Sequence, residues 1–191
     1  MNVFLDIKTG KAEPWAALQT AAYALAVPDP ALGFDEETHT YFYKGADLPS
    51  VTQILSAEGF IDTRFYDDWS RDRGKQIHKA THYDDLGELD EDTLDPVIAP
   101  YLQAWRKFKT ESGFVSNLLE TPVINTLFSY AGTPDRIGMF KYAKSGFSRC
   151  AVELHPDGKY KLITHTDKND FAVWHAAVAT YSWKQNNLRR K

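Results

Sequence analysis

An α/β fold, a mixed central sheet flanked by helices, is what this 191-residue sequence predicts. Residues 2–8 read as a strand that ends in Asp6-Ile7-Lys8. Stretches at 64–83, 94–112 and 168–188 carry apolar residues at helical spacing. Ser148–Leu154 and Tyr160–Thr164 flank a Pro156-Asp157-Gly158 turn and read as a hairpin. Together these give strands and helices on one chain, with 43% hydrophobic and 14% aromatic residues to bury between them.

Taken in order, the elements begin with the strand at 2–8 and a turn at Gly10-Lys11. Pro14 suits the first turn of a helix, expected to run to about Val27, where Pro28 and Pro30 stop it. Trp15, Gln19 and Tyr23 recur every four positions and share a face; Leu18, Ala22 and Leu25 form a neighbouring apolar one. Residues 28–33 read as a linker. His39–Tyr43, a turn at Lys44-Gly45 and Leu48–Thr52 suggest a hairpin, and Ser50 caps a short helix through Leu55. In the helix at 94–112, Tyr101, Trp105 and Phe108 form the inward stripe. Val115–Leu119, Pro122–Tyr130 and Asp135–Phe140 are expected strands, with Gly132 and Pro134 bending the chain before Asp135. Trp174, Val178, Tyr181 and Leu188 are expected to face inward on the closing helix. The whole is read as a single domain over 1–191, divided into 1–27, the linker 28–33 and 34–191.

Composition narrows the function classes. No apolar run approaches the roughly 20 residues that a membrane-spanning helix needs, and no secretory signal opens the chain, so a cytoplasmic protein is expected. Cys150, the single cysteine, excludes an intramolecular disulfide and a cysteine-rich metal site, and is expected in the core. The formal charge of −4 speaks against a passive nucleic-acid binder, whereas an acidic metal site that meets phosphate through its cations is compatible with it. The acidic run from Asp84 to Asp95 reads as solvated surface. Basic groups at Arg71, Arg73, Lys75 and Lys79, at Arg106, Lys107 and Lys109, and at Arg189–Lys191 either line a DNA path or are solvated too.

Asp6-x-Lys8 places a carboxylate and an amine on one face of a strand, and Gly132-Thr-Pro-Asp135-Arg-Ile-Gly138 offers a second carboxylate. Phosphodiester hydrolysis needs a cation to neutralise developing charge and activate water, and Mg²⁺ or Mn²⁺ prefers oxygen ligands. A lysine beside a metal-bound aspartate can orient or deprotonate that water. Asp6-x-Lys8 alone is equally a surface strand end; Gly74-Lys-Gln-Ile-His78 and the Gln19–Tyr23 pair make it part of a pattern.

With these motifs the sequence resembles the RecB-like branch of the PD-(D/E)XK nuclease superfamily, close to small phage exonucleases. The resemblance implies a restriction-endonuclease-like fold and Mg²⁺- or Mn²⁺-dependent hydrolysis of DNA, with one or two ions. It implies His78, Asp135, Asp6 and the Ile7 backbone carbonyl as metal ligands. Lys8 acts in catalysis with Asp6 and Asp135, and Gln19 and Tyr23 support the site and the DNA. Glu120 is either a further acidic ligand or a structural carboxylate, and Arg71, Arg73 and Lys75 are candidate phosphate contacts. His39, His82, His155, His165 and His175 are read as ordinary histidines.

The order of motifs departs from the family, in which the histidine and the Gly-x-x-Asp element precede Asp-x-Lys and Gln-x-x-x-Tyr. Residues 1–27 would fit after Phe140, as a strand and helix ahead of Arg149–Leu154. A permuted chain is therefore expected, with Val3–Lys8 beside Asp135–Phe140. Alternatives are a segment swapped between protomers of a homo-oligomer, or a catalytically inactive nucleic-acid-binding or assembly protein on the same fold. A hydrolase acting on a small phosphate ester is a further rival, expected to show a closed pocket instead of a groove.

Overall fold

The computed structural model describes residues 2–62, 67–141 and 148–188. β1 (Val3–Lys8), α1 (Trp15–Ala24), β2 (Leu32–Asp35), β3 (Thr40–Tyr43), β4 (Ala46–Leu48) and α2 (Val51–Ala57) come first. They are followed by α3 (Asp68–Leu86), a 3₁₀ turn at Glu91–Thr93, α4 (Ala99–Ser112), β5 (Phe114–Leu119), β6 (Val123–Asn125) and β7 (Tyr130–Gly132). β8 (Arg136–Phe140), β9 (Arg149–Leu154), β10 (Tyr160–Thr164) and α5 (Asn169–Leu188) complete them. This is an α/β architecture built on a five-stranded mixed sheet of order β10-β9-β1-β8-β5.

β1 sits at the centre. It pairs antiparallel with β8, Leu5 opposite Arg136, and parallel with β9, Asp6 opposite Ala151. The expected neighbour of Val3–Lys8 is thus the observed one. Alternation along β1 sends Val3, Leu5 and Ile7 into a core with Ile77 of α3 and Trp105 and Phe108 of α4. Phe4 faces the opposite core, where Leu18, Ala22 and Tyr23 of α1 meet Ile54 of α2 and Trp174 of α5. Asp6 and Lys8 share the face of Phe4. Arg149 ties this second layer together: it donates to the carbonyls of Ala17 and Asp167 and pairs with Asp170 at 3.0 Å.

Several expected boundaries move for local reasons. α1 stops at Ala24 because Val27 leaves to exchange backbone hydrogen bonds with Ile124. Residues 28–33 are not wholly linker: Leu32 and Gly33 begin β2, which with β3 and β4 forms a small meander. The strand expected over 122–130 is two strands, β6 and β7, because Asn125 Oδ1 accepts from the Phe128 N–H and turns the chain. α4 starts at Ala99, after Asp90 caps the 3₁₀ turn and Asp95 Oδ1 accepts from the Val97 N–H. Ser50 does cap α2, in a capping box closed by Gln53. Residues 64–66 of the helix expected from 64, and Arg189–Lys191, lie outside the described residues. Leu188 is exposed, contrary to expectation, whereas Trp174, Val178 and Cys150 are buried.

The acidic run is not all solvated. Asp84 and Asp85, with side chains 9% and 4% exposed, lie between α3 and α4. Lys109 Nζ reaches Asp84 at 2.9 Å and Asp85 at 2.6 Å, and Arg106 pairs with Asp84. Arg106 and Lys109 therefore pack α4 against α3, a role that neither reading of these basic groups, DNA path or solvated surface, gives them.

Candidate active site

The site is assembled from the end of β1, the approach to β8, the middle of α3 and one face of α1. Each contributes side chains because its apolar pattern is buried on the other side. Asp6 and Lys8 are the polar alternates of β1, and Gln19 and Tyr23 sit one turn apart on α1. His78 follows the buried Ile77 on α3 and points to the strand ends.

Of the residues named from the sequence, Asp6, Ile7, Lys8, Gln19, Tyr23, His78 and Asp135 come together. Lys8 Nζ lies 2.7 Å from Asp6 Oδ2 and 3.2 Å from Gln19 Oε1, and 4.3 Å from the centroid of the Trp15 ring. Gln19 Nε2 donates to the Tyr23 hydroxyl at 3.0 Å. Asp135 Oδ2 accepts from the Ile7 N–H at 2.6 Å, and Asp135 Oδ1 lies 3.4 Å from His78 Nδ1. The contact seen at Ile7 is thus its N–H. A cleft of about 700 Å³ is lined by Asp6, Lys8, Trp15, Gln19, Arg73, His78 and Asp135, with the loop Thr9–Lys11 at its edge.

The two carboxylates behave differently. Burial pushes Asp6 up to about 7, with Asp135 adding to the rise and Lys8 opposing it. Burial acts upward on Asp135 as well, but the charge and hydrogen bond of His78 and the Ile7 N–H outweigh it and hold Asp135 well below the usual range. Burial pulls His78 down, yet facing Asp135 and Asp6 raises it overall. Below about pH 7 this favours a proton on Asp6. Asp6 Oδ2 is buried, and the Lys8 ammonium stands 2.7 Å from it, off the direction of a regular hydrogen bond.

Glu120 stands on the rim. Its backbone has φ 42°, its N–H donates to the Asp135 carbonyl, and its carboxylate faces His82 Nδ1 at 3.3 Å and Arg136 at 3.8 Å. It shares an outer hollow with Phe34, His39, Thr133 and Asp135. Arg71 is exposed and paired with Asp68, and Lys75 is exposed on the same side of α3; both line a surface hollow with His78. Arg73 alone of the three enters the inner cleft.

Both glycines of the Gly132–Gly138 motif answer to sterics. A Cβ on Gly132 would come 2.6 Å from the Tyr23 ring, and one on Gly138 would meet the Val115 carbonyl at 2.2 Å. Gly74 differs, its nearest contact being Thr9 Oγ1 at an ordinary 3.6 Å.

Sequence reasoning missed the supports. Arg136, fully buried, donates to Asp85 Oδ2 and to the Asp135 carbonyl, each at 2.6 Å, and so clamps the backbone that carries Asp135. Glu153, opposite Lys8 on β9, accepts from the Ala12 N–H at 2.7 Å and holds the loop after Lys8. Position beside Asp135 was a signal for Arg136; nothing in the sequence marks Glu153.

Among the described residues, no three His, Cys, Asp or Glu side chains already converge as a metal-ligand set. Lys8, His78 and the Ile7 N–H hold the carboxylate oxygens instead. The donor chemistry nevertheless fits a hard divalent cation: two buried carboxylates and one imidazole on the wall of one cleft. Compared with known proteins, the sequence matches no protein-family model and no curated protein.

Proposed function

We propose that this chain is a Mg²⁺- or Mn²⁺-dependent deoxyribonuclease of the PD-(D/E)XK type. The observation that carries the reading is the meeting of Asp6 and Asp135 in one cleft, both buried and each beside a cationic group, Lys8 and His78. His78, Asp135, Asp6 and the Ile7 carbonyl would hold the metal, which when bound lowers the pKa of water and neutralises phosphate charge. Lys8 stands against Asp6 and is held by Gln19 and the Trp15 ring, where it orients the attacking water or takes its proton. Tyr23 fixes Gln19. Glu120, turned to His82, is left outside the ligand set.

We further propose a restriction-endonuclease-like fold with permuted order. In its support, β1 runs antiparallel to β8 and parallel to β9, with α1 between β1 and β9 in sequence. A strand and helix inserted after Phe140 would adopt that arrangement. An exonuclease is preferred by family resemblance.

Cleavage of plasmid and linear DNA with Mg²⁺ or Mn²⁺ tests the reading. Activity is expected to fall a hundredfold or more in both Asp6→Ala and Asp135→Ala, by analogy with the loss of one transition-state charge contact. Cleavage unchanged in both overturns it. No Mg²⁺ or Mn²⁺ binding by calorimetry would favour a catalytically inactive nucleic-acid-binding protein.

A further inference from the structure

Two side chains on the first turns of α3 have no part in the chemistry proposed above. Trp69 is 60% exposed. One turn on, the Arg73 guanidinium lies 4.3 Å from the centroid of that indole and 5.8 Å from that of Tyr101. Arg73 Nε is buried and has no hydrogen-bond partner. A buried donor left unpaired is costly, and a phosphate oxygen is the kind of acceptor that relieves it.

Arg73 also lines the cleft that contains Asp6, Lys8, His78 and Asp135. Trp69, Arg73 and His78 are therefore an aromatic platform, a cation with one unpaired N–H and a candidate ligand on one helix. Successive members are separated by about 6 and 7.5 Å of helical rise.

This arrangement discriminates between forms of DNA. A base inside a duplex has both faces covered by its neighbours, so it has none to give an indole; an unpaired base has. Surface cations such as Lys75 attract any polyanion, but a stacking platform favours unpaired strands. The chain is acidic overall, which weakens long-range attraction and leaves recognition to local contacts.

We infer that the first turns of α3 form a single-strand subsite, in which Trp69 stacks an unpaired base and Arg73 binds the neighbouring phosphate. Single-stranded DNA is then the form that reaches the cleft. The inference rests on the nuclease reading for its substrate class.

Fluorescence anisotropy of the full chain in Ca²⁺ buffer, with labelled oligothymidine and a blunt duplex of equal length, tests it. The wild type is expected to bind oligothymidine more tightly than duplex. Trp69→Ala should weaken oligothymidine binding about 5- to 100-fold, the range for loss of one base–aromatic stack, and leave duplex binding unchanged. Trp69→Phe should keep most of the preference, and Arg73→Gln should lose affinity for oligothymidine. Melting temperatures unchanged from wild type establish that the variants are folded. Equal wild-type binding to both DNAs, or equal losses on both in Trp69→Ala, overturns the inference. Parallel cleavage assays with Mg²⁺ separate the two conclusions. A wild type that cleaves neither DNA but binds single strands preferentially overturns the nuclease reading alone. Cleavage of both DNAs with no binding preference overturns the subsite alone.

Discussion

Two pairs of aspartates on or beside α3 are met by opposite arrangements. Asp84 and Asp85 face Arg106, Lys109 and Arg136, and Asp85 also accepts from the Trp105 indole N–H. Asp6 and Asp135 face Lys8 and His78, and one carboxyl is pushed up to about 7. The first pair is saturated with positive charge and joins helix to helix and strand. The second has one cationic partner for each carboxylate and opens on a cleft. Burial is common to both, so buried carboxylates by themselves do not mark a site; strongly shifted ones lining a cleft are the candidates.

The largest stability effect is expected where the saturated pair is broken. Asp85→Ala leaves Arg136 buried without its carboxylate, which should cost about 3–5 kcal/mol in urea unfolding. A loss no larger than that of a surface substitution would show that the pair is not structural. At the cleft pair the sign should reverse. Asp6→Asn removes a desolvated charge from beside Asp135 and is expected to stabilise the metal-free protein by about 2 kcal/mol in mildly alkaline buffer, while abolishing cleavage.

The pH dependence of the metal-free protein follows the same contrast. Between about pH 4 and pH 7 the folded chain holds a proton on Asp6 that the unfolded chain has released, so stability falls as pH rises through this window. His78, raised above its ordinary value, adds stability that is likewise lost as pH rises through its folded pKa. Asp135 acts oppositely, its contribution present above the ordinary carboxylate range and lost on acidification below it. Urea titrations in EDTA should show the fall towards alkaline pH, and Asp6→Asn should flatten it. A wild-type slope unchanged by Asp6→Asn would assign the proton elsewhere.

The smallest effects separate two glycines that sequence alone treats alike. Gly132→Ala drives a methyl into the Tyr23 ring and is expected to cost about 1–3 kcal/mol. Gly74→Ala on α3 meets only an ordinary contact and should stabilise by at most about 1 kcal/mol, as a better helix former. Thermal melts of the two variants check both signs.

How far the sequence could be read follows the same division. Periodicity located the strand at β1 and the stripe of Tyr101, Trp105 and Phe108, because burial imposes a repeat, and turn chemistry located the hairpin around Pro156-Asp157-Gly158. The meeting of Asp6, Lys8, Gln19, Tyr23, His78 and Asp135 was also expected, from the family resemblance that their motifs carry. The Asp85–Arg136 pair was hidden, since an acidic run looks the same whether its first members face solvent or a buried guanidinium 51 positions away. The split between β6 and β7 rested on one side-chain hydrogen bond at Asn125, which carries no periodic signal.

The central position of β1 has a consequence for the order in which the molecule can form. The Ile7 N–H and its acceptor on Asp135 are 128 positions apart, and β9 on the other side of β1 is later still. Contacts that distant form slowly, because a long loop must close before any pairing rewards it. While the chain grows, β1 therefore has neither neighbour, and its apolar face must be kept from wrong partners. The two candidate carboxylates cannot meet until almost three quarters of the chain has been made. A truncated product ending before Asp135 carries Asp6, Lys8 and His78 without the second carboxylate or the strand that seats β1.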